Sequence, residues 1–330
     1  MIAPTPLPAS RLAIIGAWAP HRSEDAIARA ARRMGLAAKC FDALRRVRQI
    51  GPLASPIIER SVNRFDPDFI LCTRHAWLLG RPRLERLLRG RRSAFWFFDA
   101  VEHEGVVTLG QLCDTMYTSY ANQRQLWQSR GVPEVRFLPQ ALDPDIEKPA
   151  STILAEDACD ASFIGSGQYS HRWPLLAAVA RACNLKIWGP SWWAAPPDLQ
   201  VVGGGFKVVG ERFAQVVGAS SVSLGANAVP EQDHELASAS DRMWKIFGCG
   251  GFYLGAYVPG IERFAVDGVH CAWYRSPEEA VAKVRQALAD PVERQRIAGA
   301  GRAHALAEHS YAKRMELLLA GREYPLEGAP

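Results

Sequence analysis

Short, almost wholly apolar runs separated by helix-like segments recur along this chain, and that alternation constrains the fold more than any other feature. In the first half, RLAIIGAW, LAAKCFDAL, PDFILCTRHA, SAFWFFDA, CDTMYTSY and VRFLPQAL read as strands, and the segments near 23–34, 57–65 and 122–130 between them read as helices. Strands that are apolar on consecutive residues are buried on both faces, as in a parallel sheet covered by crossover helices. The pattern restarts after a Pro-, Asp- and Glu-rich segment from Asp143 to Asp157, with CDASFIGSG, LKIWGPSWW, VVGGGFKVVG, SVSLGAN, GGFYLG and HCAWY.

The helices of the second half carry clear start signals. Ser170 and Pro174 open one over 172–183. Ser276, Pro277 and Glu279 form a capping box, with Val281, Val284 and Leu288 on one face, and Asp290, Pro291 and Glu293 repeat the logic. A last helix from Tyr311 aligns Met315, Leu318 and Leu319. Two consecutive Rossmann-like α/β domains are expected, and 330 residues are enough for both.

Composition excludes several classes. Hydrophobic residues make up 48% and charged residues 22%, with a mean hydropathy of -0.09, which rules out collagen-like, disordered and disulfide-scaffold chains. No stretch approaches the roughly 18 apolar residues of a membrane span. LAIIGAWA, from Leu12 to Ala19, is read as a buried first strand and not as a signal peptide, so a cytoplasmic protein is expected. Seven cysteines never closer than 22 residues apart fit reduced, buried thiols. The eight histidines, His21, His75 and His103 among them, lack metal-ligand spacing, and no metal or other cofactor is expected.

Charge divides unevenly. Through Lys148 there are 22 Lys and Arg against 15 Asp and Glu, and from Pro149 there are 17 against 19. The segment RPRLERLLRGRR sets Arg81, Arg83, Arg86, Arg89, Arg91 and Arg92 around one amphipathic helix with Leu84, Leu87 and Leu88 inside, and Arg45, Arg46 and Arg48 add to it. A charge run is usually a solvated face. This one is dense enough to suggest an anionic partner: an acceptor substrate, a lipid headgroup or a nucleic acid.

Three constellations can carry chemistry. FIGSGQYS holds Gly165 and Gly167 of a dinucleotide fingerprint, but Ser170 stands where a third glycine belongs. No acid follows about 20 residues on, where the strand ends in Ile187, Trp188 and Gly189. A tight strand-to-helix turn beside some other nucleotide is the better reading. In SASDRMWKIFGCGG, Ser240 and Asp241 lead into a helix that Gly250 and Gly251 terminate. Its amides form an anion site, and Arg242 and Lys245 on one face reach a diphosphate; the alternative is a surface helix with two solvated cations. AFWFFDAVEHEG ends a strand with Asp99, Glu102 and His103, any of which could act as a general base, unless Asp99 caps a helix. The Asp143-Pro144-Asp145 triplet matches a metal motif of sugar transferases but sits where Asp beside Pro makes a turn. Of the ten tryptophans, one or two are expected to contact ligand and the rest to lie in the core.

These residues resemble a family. DASFIGSGQYSHRWPLL, KIWGPSWW, SDRMWKIFGCGGFYLGAYVPGIERF and DPVERQRIAGAGRAHALAEHSYAKRM, in that order, are similar to the C-terminal donor domain of the CgeB-like (spore maturation protein B) glycosyltransferases, with a group 1 type C-terminal domain. MYTSYANQRQLWQSRGVPEVRFLPQALDP and PDFILCTRHA look like parts of the acceptor domain. The resemblance implies a GT-B fold, two Rossmann-like domains facing each other across a cleft. The implied division is an acceptor domain over 1–148, a donor domain over 149–308, and a C-terminal helix and tail over 309–330 that cross back. It implies a nucleotide-diphosphate sugar as co-substrate, bound around Gly165, Ser166, Gly167, Arg172, Trp188, Gly189, Ser240, Asp241, Arg242, Lys245, Gly250 and Gly251. Related enzymes often hold the ribose with a Glu where this chain has Lys245, which suits a phosphate ligand instead. The expected reaction is metal-independent glycosyl transfer to an anionic or polar acceptor, with Asp99, Glu102 or His103 as base if configuration inverts. The alternatives are a nucleotide-sugar binding protein without turnover, or a transferase acting on nucleic acid or another polyanion.

Overall fold

The computed structural model describes residues 10–99, 103–201, 207–226 and 239–325. The chain divides into two units, one of residues 10–140 with 311–325 and one of residues 141–310.

The first unit begins β1 (Arg11–Gly16), α1 (Ser23–Arg33), β2 (Ala37–Asp42), α2 (Ala43–Ile50) and α3 (Ala54–Phe65). It continues β3 (Phe69–Cys72), α4 (Arg81–Leu88), β4 (Arg92–Phe97), α5 (Glu104–Leu112), β5 (Thr115–Thr118), α6 (Arg124–Ser129) and β6 (Val135–Phe137). Its strands form a wholly parallel sheet in the order β2-β1-β3-β4-β5-β6. Leu12 to Gly16 and all of β3 are buried, as strands covered on both faces must be, whereas edge strand β2 alternates. Ile15, Ile70 and Phe95 from adjacent strands meet Leu84 and Leu87 of α4 in one core. Each such side chain contributes about 1.5–3 kcal/mol by leaving water.

Two local outcomes depart from the expected pattern. The arginine-rich segment is not one helix: α4 stops at Leu88, Gly90 takes φ +72°, and Arg92 already belongs to β4. His103, rather than Asp99, caps α5, its Nδ1 accepting the Gly105 N–H at 3.1 Å.

The second unit runs β7 (Cys159–Ile164), α7 (Trp173–Ala182), β8 (Leu185–Trp188), α8 (Pro197–Val201), α9 (Glu211–Ala219) and β9 (Ser220–Leu224). It then adds α10 (Asp241–Gly248), β10 (Tyr253–Ala256), β11 (Ala272–Tyr274), α11 (Pro277–Ala289) and α12 (Pro291–Glu308). Its sheet is also parallel, in the order β11-β10-β9-β7-β8. Phe163, Ile187 and Leu254 of the sheet meet Leu176 of α7 and Val284 of α11. Ser276 and Asp290 cap α11 and α12 by accepting the Glu279 and Glu293 N–H groups. Ser170 caps nothing, because a short 3-10 turn over Ser170–Arg172 intervenes before α7. Of VVGGGFKVVG, residues 202–206 lie outside the described residues, and the rest forms no strand. All seven cysteines are free thiols.

After Ser310 the chain returns to the first unit as α13 (Tyr311–Leu319), which packs on α1. Its buried stripe is Tyr311, Arg314, Met315 and Leu318, so an arginine takes the place expected for Leu319. Arg314 is 1% exposed; its Nε donates to the Pro139 carbonyl at 3.1 Å and its guanidinium lies 4.6 Å from the Tyr324 ring centroid. Because a buried carbonyl loses its donor, Arg314→Ala is expected to destabilise the first unit by about 2–4 kcal/mol in urea unfolding, against less than about 0.5 kcal/mol for exposed Glu316→Ala.

Candidate functional site

In the second unit, Gly165, Ser166, Gly167, Arg172, Trp188, Gly189 and Arg242 of the expected donor set converge at the carboxyl ends of β7 and β8. Beyond β7 the turn Gly165-Ser166-Gly167 is braced from several sides. Gly165 N–H donates to the Trp188 carbonyl at 2.8 Å and Gly167 N–H to the Pro190 carbonyl at 2.9 Å. The indoles of Trp192 and Trp173 donate to the Gly165 and Gly167 carbonyls, each at 3.0 Å, and Arg172 Nη1 reaches the Ser166 carbonyl at 3.3 Å. Glycine is required on both sides of this crossing: Gly189 has φ +137°, and a Cβ on it would lie 2.0 Å from the Gly165 oxygen. Trp188 itself is 2% exposed and packs with Cys159 and Val216, so it serves the turn through its carbonyl and not as a stacking surface. Arg172, 4% exposed, is an internal strut stacked 4.3 Å from the Tyr169 centroid.

Arg242 joins this turn from α10. Its Nε donates to the Ile164 carbonyl at 2.6 Å, its Nη1 to the Ala226 carbonyl at 2.8 Å, and its guanidinium lies 4.7 Å from the Phe163 centroid. A Cβ on Gly165 would come within 2.8 Å of Nη2, so the guanidinium occupies the space the missing side chain leaves. Ser240 caps the helix, accepting the Arg242 N–H at 3.4 Å. Lys245 is not a solvated cation: its Nζ lies 2.8 Å from Asp241 Oδ2 one turn back. Burial pushes the Asp241 carboxyl up, but Lys245, with Arg242 behind it, holds it below the usual range. Gly250 and Gly251 sit past the far end of α10. Gly251 is needed because a Cβ there would lie 2.4 Å from Val217 Cγ1, while Gly250 has φ +80° and a Cβ on it would make only ordinary contacts, 3.7 Å from Arg302 Cδ and Pro149 Cγ.

Glu147 is the functional candidate that motif reading passed over. Asp143, the start of the Pro-rich segment, makes the turn expected of it, its Oδ1 accepting the Asp145 N–H at 3.1 Å. That turn carries Glu147, 8% exposed, back so that its Oε2 accepts the Asp143 N–H at 2.6 Å. Burial pushes its carboxyl up to about 7, opposed by Lys245 and by the Asp143 N–H. The only sequence sign was an acid four residues beyond an Asp-Pro turn.

The expected base cluster lies in the first unit, at the carboxyl ends of β1, β3 and β4. Glu102 lies outside the described residues. Asp99 Oδ2 is 3.0 Å from Arg74 Nη1, both about half exposed. His103 is a poor base as placed. Its Nδ1 lone pair already accepts a backbone N–H, so the neutral ring carries its proton on Nε2, and burial and Arg74 keep its pKa below the ordinary value. Beside Asp99, burial with Arg22 and Arg74 lowers His75. Buried Glu24 accepts from Thr73 Oγ1 at 2.9 Å and pairs with Arg22 Nε at 3.4 Å. His21 has φ +66° and a buried Nδ1 without a hydrogen-bond partner.

Glu147 generates a pH prediction. Between its ordinary value of 4.5 and about 7 the folded unit holds a proton that the unfolded chain has released. Its contribution is therefore full below 4.5 and lost as pH rises through about 7. Glu147→Gln is expected to stabilise the second unit at pH 8 by up to ~3 kcal/mol and to change little near pH 4.5, measured by thermal unfolding. An unchanged pH profile would show that Glu147 is charged and solvated in the fold.

Residues 172–320, from the strut Arg172 to the end of α13, match a family described as glycosyl transferase-like. Solved structures share the fold along almost the whole chain. HepE of Anabaena in complex with UDP-glucose has a TM-score of 0.66 at 12% identity, over 95% of this chain and 98% of its own. Sucrose-phosphate synthase of Thermosynechococcus elongatus has 0.63 at 12%, over 94% and 98%. An alpha-glucosyltransferase in complex with UDP-glucose and abasic DNA has 0.69 at 10%, over 95% and 100%. No curated protein matches the sequence. The whole chain thus has the GT-B architecture of these structures, and its residues 172–320 match a glycosyl transferase-like family.

Proposed function

We propose that the chain moves a sugar from a nucleotide-diphosphate donor to an acceptor, with the donor on the second unit and the acceptor on the first, as in the CgeB-like enzymes it resembles. The observation that carries this reading is the glycine turn braced against Arg242 at the capped start of α10. The glycines let the turn close against Arg242, and the helix start and guanidinium stabilise the negative charge that grows on the diphosphate as the glycosidic bond breaks. Two of the three donor-bearing guanidinium nitrogens are committed to carbonyls, which leaves Nη2 as the ligand-facing group. Lys245, paired with Asp241, acts by fixing the charge pattern of the helix and not as a second phosphate arm. In the first unit Asp99 is the base candidate that keeps an available carboxylate, with Arg74 orienting it. Among the described residues no helix is long and apolar enough to cross a membrane, and we place the enzyme in the cytoplasm.

Incubation with a panel of UDP-, GDP- and dTDP-sugars is expected to give a thermal shift and slow hydrolysis with one of them. Binding without hydrolysis or transfer to any acceptor would leave a sugar-nucleotide binding protein, the reading that Lys245 favours. The excess of arginine in the first half, and the DNA held by one structural neighbour, raise nucleic acid as an acceptor. Salt-sensitive retention on DNA would support it and no retention at low salt would exclude it. Arg242→Ala is expected to weaken donor binding by at least about tenfold with the fold retained by circular dichroism; unchanged affinity would overturn the site. Asp99→Asn is expected to cut transfer by about 100-fold or more while the donor dissociation constant stays the same, and a matching loss of donor affinity would deny it the role of base.

A further inference from the structure

The arginine-dense stretch of the first unit is largely self-neutralised. Arg81 pairs with Glu85, Arg83 and Arg86 with Glu59, and Arg91 with Asn63 and Asp66. Uncommitted positive charge lies elsewhere, around a cavity of about 550 Å³ between the edge strand β2 and helices α2 and α3. Lys39, Arg45 and Arg46 line it, all exposed, and none has a carboxylate partner among the described residues. The one carboxylate in the lining, Asp42, is used as the α2 cap, its Oδ1 accepting the Arg45 N–H at 2.9 Å.

Part of the lining is apolar, and part of that is fixed. Trp18 is 39% exposed, yet its indole N–H donates to Asp25 Oδ1 at 3.1 Å, so the ring is held in place. Ile57, 47% exposed, and Ile58 also line it. Trp18 lies two residues past β1, whose carboxyl end carries the Glu24 and Thr73 contacts of the first-unit cluster. A cavity of this size, lined by an indole held in place and by three cations without a carboxylate partner among the described residues, is matched to a ligand with an apolar ring and an anionic group.

We propose that this cavity anchors the acceptor, and that the acceptor class is an anion, phosphate or carboxylate, carried on an aromatic or alicyclic body. The assignment as acceptor site rests on the glycosyl-transfer reading; the cavity's affinity for such anions does not. Calorimetry with phenyl phosphate, benzoate and benzyl alcohol separates the terms and needs no donor. At least one anion is expected to bind saturably and benzyl alcohol not at all, with the tighter anion identifying the group. The Arg45→Ala, Arg46→Ala double variant and Trp18→Ala are each expected to raise the dissociation constant at least about fivefold with the fold intact, whereas Arg242→Ala leaves it unchanged. The proposal is overturned if neither anion binds below about 10 mM, if the double variant binds as the parent does, or if the affinity follows Arg242 instead. Anion binding here without sugar transfer would remove the transfer reading and leave the site. Transfer without anion binding would do the reverse.

Discussion

A parallel sheet must be covered on both faces, and each strand must therefore be followed by a crossover helix that returns the chain to the same starting edge. Everything chemically interesting in this molecule follows from that constraint. The strand interiors are spent on burial: β3 is buried at every position and β1 at all but its first. Both candidate clusters lie in turns at the carboxyl ends, where such sheets gather ligand-binding groups. In the second unit Gly165, Gly167 and Gly189 crowd the ends of β7 and β8. In the first, Glu24, Thr73, Arg74 and Asp99 gather at the ends of β1, β3 and β4.

In the second unit, close approach of main chains substitutes for side-chain bulk. With no Cβ on Gly165 or Gly189 the two turns pass within hydrogen-bonding range, and the space left over admits the Arg242 guanidinium. Arg242 is thus both a strut across the ends of β7 and β9 and a charge at the turn. Nearby, Lys245 answers the Asp241 charge, and the Glu147 carboxyl is raised by burial to about 7. That arrangement favours a fixed electrostatic environment over mobile phosphate-seeking side chains.

Much of this was legible in the residues. Consecutive apolar positions announced parallel strands, and Ser240 with Asp241 marked the start of α10 because cap chemistry is local. Ser276 and Asp290 were readable for the same reason. What failed to be read involved competition between local signals. Ser170 is a good cap by type, but a 3-10 turn displaced the helix start. Gly90 cut the arginine helix short because an αL glycine ends a helix regardless of the charges beyond it. His103 took the cap that Asp99 was a candidate for, and in doing so used the lone pair a base would need. The short helix α9 went unseen behind a glycine-rich run.

The sequence by itself determined the class of fold, since this depends on hydrophobic period, turn residues and caps within a few positions of one another. Only the tertiary structure decided which charged groups are answered. Arg86 finds Glu59, Lys245 finds Asp241, Arg314 finds the Pro139 carbonyl, and Lys39, Arg45 and Arg46 find no carboxylate among the described residues. Whether a charge is a strut, a neutralised ornament or a ligand for an anion depends on partners brought from distant parts of the chain, and on how much water remains around them.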